Sequence, residues 1–245
     1  MGFYVALLFL TRIPLPQIML DDRKIASSIP FFPLAGAVIG GILSFTFLLG
    51  EKVLPLQVLP VIITTAWGSI TGGMHIDGFA DTMDGIFCGG GREKKLSVMK
   101  DSRIGAYGAM GVVLLLLFKI SLTGSLSRQY LIPALILAPV LSRWVMTYAI
   151  ILFPYARESG LGRAFSLYKN PWYFITSSVI AIGIAILVAK AMGFIIALIV
   201  IVAGFVLIKY IIGQLGGLTG DTYGAINELC EIVVLLIFVI LSNKG

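Results

Sequence analysis

The sequence has 245 residues, of which 58% are hydrophobic and 12% charged. That charged fraction is about half of the 25% usual for a soluble domain, which excludes water as the main solvent of the fold. The formal charge is +6, but the Lys and Arg residues are scattered through short connections and form no arm or stripe. Nucleic acid is therefore not the partner they imply, and they read as membrane-topology signals.

The N-terminal stretch Met1 to Leu10 is apolar, yet it has no basic flank and no small-residue cleavage site, so it does not read as a signal peptide. A bilayer core about 30 Å thick needs roughly 20 residues per helical crossing, and this stretch is too short. It is expected at the interface or as a re-entrant segment. Apolar runs follow from Phe31 to Leu49, Leu56 to Ile70, Ile104 to Thr123, Tyr130 to Phe153, Trp172 to Ala189, Ala191 to Ile212 and Ala225 to Leu241. They predict an all-α, polytopic integral membrane protein with about seven transmembrane helices, in a single domain over residues 1–245. The junction at Lys190 is so tight that the fifth and sixth runs could instead be one broken, long hairpin.

With the N-terminus inside, one face of the membrane collects Arg12, Arg23, Lys24, Arg92, Lys94, Lys95, Lys100, Arg103, Arg157, Arg163 and Lys169. The other has Lys52, Arg128, Lys190 and Lys244. Eleven against four places the connections 74–103, 154–171 and 213–224 on the cytoplasmic side. Three basic residues fall inside crossings. Lys119 and Lys209 lie near helix ends and are expected to extend their ammonium groups to the headgroups. Arg143 lies mid-helix, where a charge costs at least about 2.5 kcal/mol, so it should face a polar cavity, a substrate or an acidic partner. Cys88 and Cys230 are far apart, lack metal-ligand spacing, and read as packing residues.

The densest chemical signal is Gly72-Gly73-Met74-His75-Ile76-Asp77-Gly78-Phe79-Ala80-Asp81-Thr82-Met83-Asp84-Gly85. A helix here puts Asp77, Asp81 and Asp84 at i, i+4 and i+7, on one face. Like charges at that spacing repel, and more strongly where the dielectric is low, so protonation or a divalent cation must offset them. Oxygen-only ligands favour magnesium, calcium or manganese, and magnesium commonly completes its shell with substrate phosphates. The glycines that bracket the acids permit close backbone approach to a ligand. His75, the only histidine, offers a group for proton transfer, but a lone histidine is more often structural in such a setting.

Two further blocks lie on the same face. Lys100-Asp101-Ser102-Arg103 opens the third crossing, where Arg103 can grip phosphate oxygens bidentately and a helix start favours anions. Thr219-Gly220-Asp221-Thr222-Tyr223-Gly224 opens the last crossing, with Asp221 as a further ligand or base. Glu228 and Glu231, one and two turns on, are either functional or structural partners for Arg143.

These blocks, together with Leu10-Thr11-Arg12-Ile13-Pro14, Phe32-Pro33-Leu34-Ala35-Gly36 and Ser142-Arg143-Trp144, resemble the cobalamin synthase family, the adenosylcobinamide-GDP ribazoletransferases, over nearly the full chain. The resemblance implies a multi-pass enzyme of the cytoplasmic (inner) membrane whose active site faces the cytoplasm. It also implies transfer from adenosylcobinamide-GDP to α-ribazole or its 5′-phosphate with release of GMP, and magnesium as the metal. On this reading Asp77, Asp81 and Asp84 hold the metal; Arg12, Lys100, Arg103 and Arg143 hold substrate; and Asp101 or Asp221 accepts the hydroxyl proton. A homo-oligomer, or association with other enzymes handling corrinoids, is compatible with that setting.

Two other readings remain open from the residues alone. A different magnesium-dependent membrane phosphotransferase or prenyltransferase also uses spaced aspartates, though its spacings are not matched here. A corrinoid or ion transporter would place its acids near the bilayer midplane in broken helices of two repeated halves, whereas these acids gather at one surface.

Overall fold

Backbone inside a bilayer has no water to bond, so apolar runs must satisfy their own N–H and C=O groups, and helices do this within one segment. The computed structural model describes every residue except 158–164, 166 and 244–245, and no strand occurs among the described residues. The Arg163 and Lys244 of the topology count lie outside them.

In chain order the helices are α1 (Gly2–Leu10), α2 (Asp22–Ser28), α3 (Phe32–Gly50), α4 (Leu59–Thr71), α5 (Met74–Phe87) and α6 (Arg92–Val98). They continue with α7 (Ala106–Gly124), α8 (Arg128–Leu152), α9 (Pro171–Leu215) and α10 (Gly220–Ser242). One 3-10 turn, Ile29–Phe31, joins α2 to α3. Five stretches are long and apolar enough to cross a membrane: Asp22–Gly50, α7, α8, α9 and α10. The chain is thus a multi-pass membrane protein, as its composition requires.

The expected crossing from Leu56 to Ile70 becomes only the 13-residue α4, too short to cross alone. Pro60 at its start and the Gly72–Gly73 pair at its end, with φ of 64° and 71°, limit its length. Gly73 N–H returns to the Gly68 carbonyl at 2.9 Å, which closes the helix end. α4 then lies along the far half of α7, with Pro60 against Gly124, and α5 lies along the near half, with Phe79 and Met83 against Gly111.

The Lys190 junction resolves as the hairpin alternative. Ala189 and Lys190 leave the helical region, at φ −132° and +52°, inside the 45-residue α9. Gly193 packs so closely on the Ala185 carbonyl that no Cβ could fit there. Eight residues along a straight helix lie about 12 Å apart, so the two arms double back on each other.

The centre of the bundle is α8, most of whose side chains are buried. α3 lies on it through Gly36 and Gly40, one turn apart. A Cβ on Gly40 would lie 2.6 Å from the Ile136 Cα, and one on Gly36 would collide with the Pro139 carbonyl. Such close contact between backbones is how membrane helices gain dispersion energy where lipid removes the hydrophobic drive.

The basic residues segregate as their sequence positions require. Arg12 touches Gly72, and Arg92 donates to the carbonyls of Leu215 and Ala156, all at the end carrying the starts of α7 and α10. Arg128 pairs with Glu51 at the opposite end.

Candidate active site

The site is assembled where α5 crosses the first turn of α10. Gly78 makes the crossing possible, because a Cβ there would sit 2.7 Å from the Asp221 carbonyl oxygen. Gly224 returns the fit one turn later, 3.0 Å from the His75 backbone. Two glycines thus bring α5, with Asp77 and Asp81, against Asp221. The start of α10 is fixed by a capping box, in which the Thr222 N–H donates to Thr219 Oγ1 and the Thr219 N–H to Thr222 Oγ1.

Asp221 accepts an ion pair from Arg157 at 2.8 Å. Arg157 also reaches the Met99 carbonyl at 3.4 Å, so it ties the segment after α8 to the connection before α7. A short bridge adds to this frame, with the Leu218 N–H bonded to the Pro154 carbonyl at 2.9 Å and the Ala156 N–H to the Leu218 carbonyl at 2.7 Å. Sequence reasoning counted Arg157 as a topology signal only. An arginine in a short polar segment that returns to the acidic face was the available signal.

Asp81 shows how crowded the acids are. Its pKa is pushed up to about 6, first by burial and then by Asp221 and Asp77, against the opposing Arg157. Neither Asp77 nor Asp81 has a side-chain ion pair among the described residues.

The third member of the expected aspartate face has another occupation. Asp84 is buried, and its two oxygens accept the N–H groups of Gly105 at 2.7 Å and Gly108 at 2.8 Å. These are open donors at the start of α7, so Asp84 caps that helix from another element and complements its dipole. Both glycines are required, since a Cβ on either would collide with the carboxylate. Asp84 therefore shares the helical face with Asp77 and Asp81 but spends its oxygens on α7. Among the described residues, no group of three or more His, Cys, Asp or Glu side chains forms a ready-made metal cluster.

The second block is also self-paired. Arg103 holds Asp101 bidentately, at 3.1 and 2.8 Å, which keeps the exposed Asp101 carboxyl down at about 2. Lys100 is exposed beside it, and Arg12 lies against the Gly72–Gly73 turn.

Two basic residues correct the expectations. Lys119 does not extend to the headgroups; it is 2% exposed and bonds Glu228 and Glu231, each at 2.6 Å, beneath the Trp67 ring at 4.4 Å. Arg143 is fully buried and pairs with Glu231 at 2.8 Å, so the structural alternative holds for it and it lines neither cavity of the site. The position of Lys119 concealed its partners on α10, whereas Glu231 is one of the partners the sequence offered for Arg143. Lys209 is exposed on α9.

Two cavities flank Asp77. One, of about 270 Å³, lies between α5, α8 and α10 and is lined by Phe9, Phe32, His75, Tyr155, Arg157 and Asp221 among others. The other, an open depression of about 560 Å³, carries Arg12, Gly72, Gly73 and Ile104.

Comparison with known proteins bears on this geometry. Residues 2–239 match the family model described as cobalamin-5-phosphate synthase. An adenosylcobinamide-GDP ribazoletransferase of Roseiflexus sp. (strain RS-1) is 42% identical over 94% of this chain and 86% of its own. Proteins of the same name from Clostridium novyi (strain NT) and Herpetosiphon aurantiacus are 38% and 39% identical, each over 97% of this chain and over 95% and 96% of their own. No solved structure matches.

Proposed function

The chain belongs to the cobalamin-5-phosphate synthase family, and from that membership we propose that it is a membrane-embedded adenosylcobinamide-GDP ribazoletransferase. It joins the phosphocobinamide group of adenosylcobinamide-GDP to α-ribazole or its 5′-phosphate and releases GMP. The observation that carries the reading is the approach of Asp77, Asp81 and Asp221 at the α5–α10 crossing, with Asp77 lining both a narrower cavity and a more open one. A transfer between two substrates needs two such spaces with reactive groups between them.

Magnesium fits this donor set. Asp77 and Asp81 offer only hard oxygen ligands, and the Asp81 carboxyl is pushed up to about 6, first by burial and then by the neighbouring Asp221 and Asp77. These two residues would hold the ion, with Asp221 adjacent, and diphosphate oxygens and water would complete the shell. When bound, the ion supplies charge neutralisation for the phosphoryl oxygens and the departing GMP.

The protein's own groups do the rest. The acceptor's 3′-hydroxyl oxygen attacks the phosphorus on the cobinamide side, the bridging P–O bond breaks, and its electron pair leaves on GMP. Asp221 takes the hydroxyl proton. Asp101 is less suited, because Arg103 holds it near pKa 2 and a carboxylate so stabilised is a weak base. Arg157 orients Asp221, and Arg12 faces the open depression, where it would grip phosphate oxygens.

The excess of Lys and Arg at the site end supports a cytoplasmic-membrane location with the site facing the cytoplasm. Contact with other corrinoid enzymes at that face belongs to the same proposal. Purified protein given both substrates and magnesium should release GMP and form the cobalamin product, and Asp81→Asn should abolish this while inserting normally. Full turnover by Asp81→Asn at saturating magnesium rejects the ligand assignment.

A further inference from the structure

The narrower cavity has a chemistry that distinguishes among the parts of the two substrates. Phe9, Phe32 and Phe165 touch one another, with ring centroids 5.3 to 6.3 Å apart, and form one aromatic wall. Met146 and Ile150 extend the apolar lining, while Asp77, Arg157 and Asp221 supply a charged side. Between these lie buried polar atoms with no hydrogen-bond partner among the described residues: both ring nitrogens of His75, the Tyr223 hydroxyl and the Arg157 Nε. His75 and Tyr223 are each 3% exposed, so bulk water does not satisfy them. Buried polar groups rarely stay unpaired, and groups that line a cavity together are met by what enters it.

A space of about 270 Å³ is at the small end for ligand sites. It excludes a corrin ring, which leaves the two nucleosides of the reaction. Guanine presents an edge of donors and acceptors that an aromatic and aliphatic wall would leave unbonded at high cost. Dimethylbenzimidazole presents two methyl groups and one ring-nitrogen acceptor.

We infer that this cavity is the acceptor subsite: the benzimidazole of α-ribazole lies against Phe9, Phe32 and Phe165, His75 bonds the nucleoside, and the ribose hydroxyls face Asp77 and Asp221. The inference rests on the transferase reading above. It makes Asp77 the divide between acceptor and donor, since the same residue lines the open depression on the Arg12 side.

The test uses the full-length protein in nanodiscs without donor, titrated calorimetrically with α-ribazole, the riboside of unmethylated benzimidazole, and guanosine. α-Ribazole is expected to bind, the unmethylated riboside about tenfold more weakly through loss of two buried methyl groups, and guanosine no better than that. In turnover, Phe9→Ala and His75→Gln should each raise KM for α-ribazole about tenfold and change KM for the donor less than twofold. Guanosine binding more tightly than α-ribazole, or variants that raise only the donor's KM, overturns the acceptor assignment while GMP release persists. Absence of GMP release by the wild type with both substrates and magnesium removes the transferase reading instead. If the variants do not fold, the wild-type titrations decide alone.

Discussion

Replacing Lys119 by Met tests whether the charges inside the bundle form one balanced unit. Lys119 and Arg143 face Glu228 and Glu231, two positive and two negative groups, each at most 2% exposed. Asn227 Nδ2 adds a bond to Glu231 at 3.0 Å. Lys119→Met preserves the stem and removes the ammonium. Glu231 keeps Arg143, so the orphaned group is Glu228, whose only ion-pair partner among the described residues is Lys119. Breaking a buried pair by removing one member costs about 3–5 kcal/mol, and the lost contact with the Trp67 ring adds about 1 kcal/mol. The total should appear as a loss of about 5 kcal/mol in reversible unfolding by SDS from mixed micelles, followed by tryptophan fluorescence. Adding Glu228→Gln removes the orphaned charge, so the double variant should recover at least about 2 kcal/mol. A double variant no more stable than Lys119→Met alone would refute the balanced-unit argument, whatever the size of the single effect.

Three other outcomes follow from the site. Gly78→Ala should lower kcat at least tenfold with helical content by circular dichroism unchanged, because its Cβ meets the Asp221 backbone at 2.7 Å; Gly41→Ala, which meets nothing within 4 Å, should leave turnover near the wild-type rate. Asp81 has its pKa raised from 3.8 to about 6, so its ionised form destabilises the metal-free fold fully above pH 6, and this penalty fades as the pH falls towards 3.8. Asp81→Asn should therefore raise the melting temperature of the metal-free protein at pH 8 and not at pH 4; a gain independent of pH would contradict the electrostatic account. Asp101, held near 2 by Arg103, stays ionised throughout neutral pH, so Asp101→Asn should leave the shape of the pH profile of kcat unchanged.

Much of this architecture was legible because a bilayer imposes length and polarity on whole segments. The apolar runs, the break at Lys190 and the helical register of Asp77, Asp81 and Asp84 are all local properties, and the structure bears them out except for the run that becomes α4. The shortness of α4 was written in Pro60 and in Gly72–Gly73, but a hydrophobic run counted residues without weighing those boundaries. Apart from Glu231 as a partner for Arg143, contacts across the fold were not legible. Lys119 stands five residues before Gly124, the last of α7, where extension to the headgroups is the local expectation, and its partners lie 109 and 112 residues away. Asp84 likewise reads as one of three equal acids until the start of α7 is placed beside it, because open N–H donors are set by a helix boundary and carry no side-chain signature.

The unequal pairing of the acids separates structure from chemistry. Asp84 is held by two backbone N–H groups, Glu228 by Lys119, and Glu231 by Lys119, Arg143 and Asn227. Each of these carboxylates has its charge met by the fold, so a cation brought to it would have to displace an existing partner. Among the described residues Asp77 and Asp81 have no ion-pair partner, and Asp221 has Arg157 and a longer bond from Thr219 Oγ1 at 3.4 Å. Repulsion among these three is left in the folded state, and strain of that kind persists where it serves binding. The same bundle therefore neutralises the acids that anchor α7 and α10 and leaves exposed to ligand those at the α5–α10 crossing. A divalent ion with a diphosphate would meet the least opposition there, because its binding relieves a repulsion that the fold itself leaves standing.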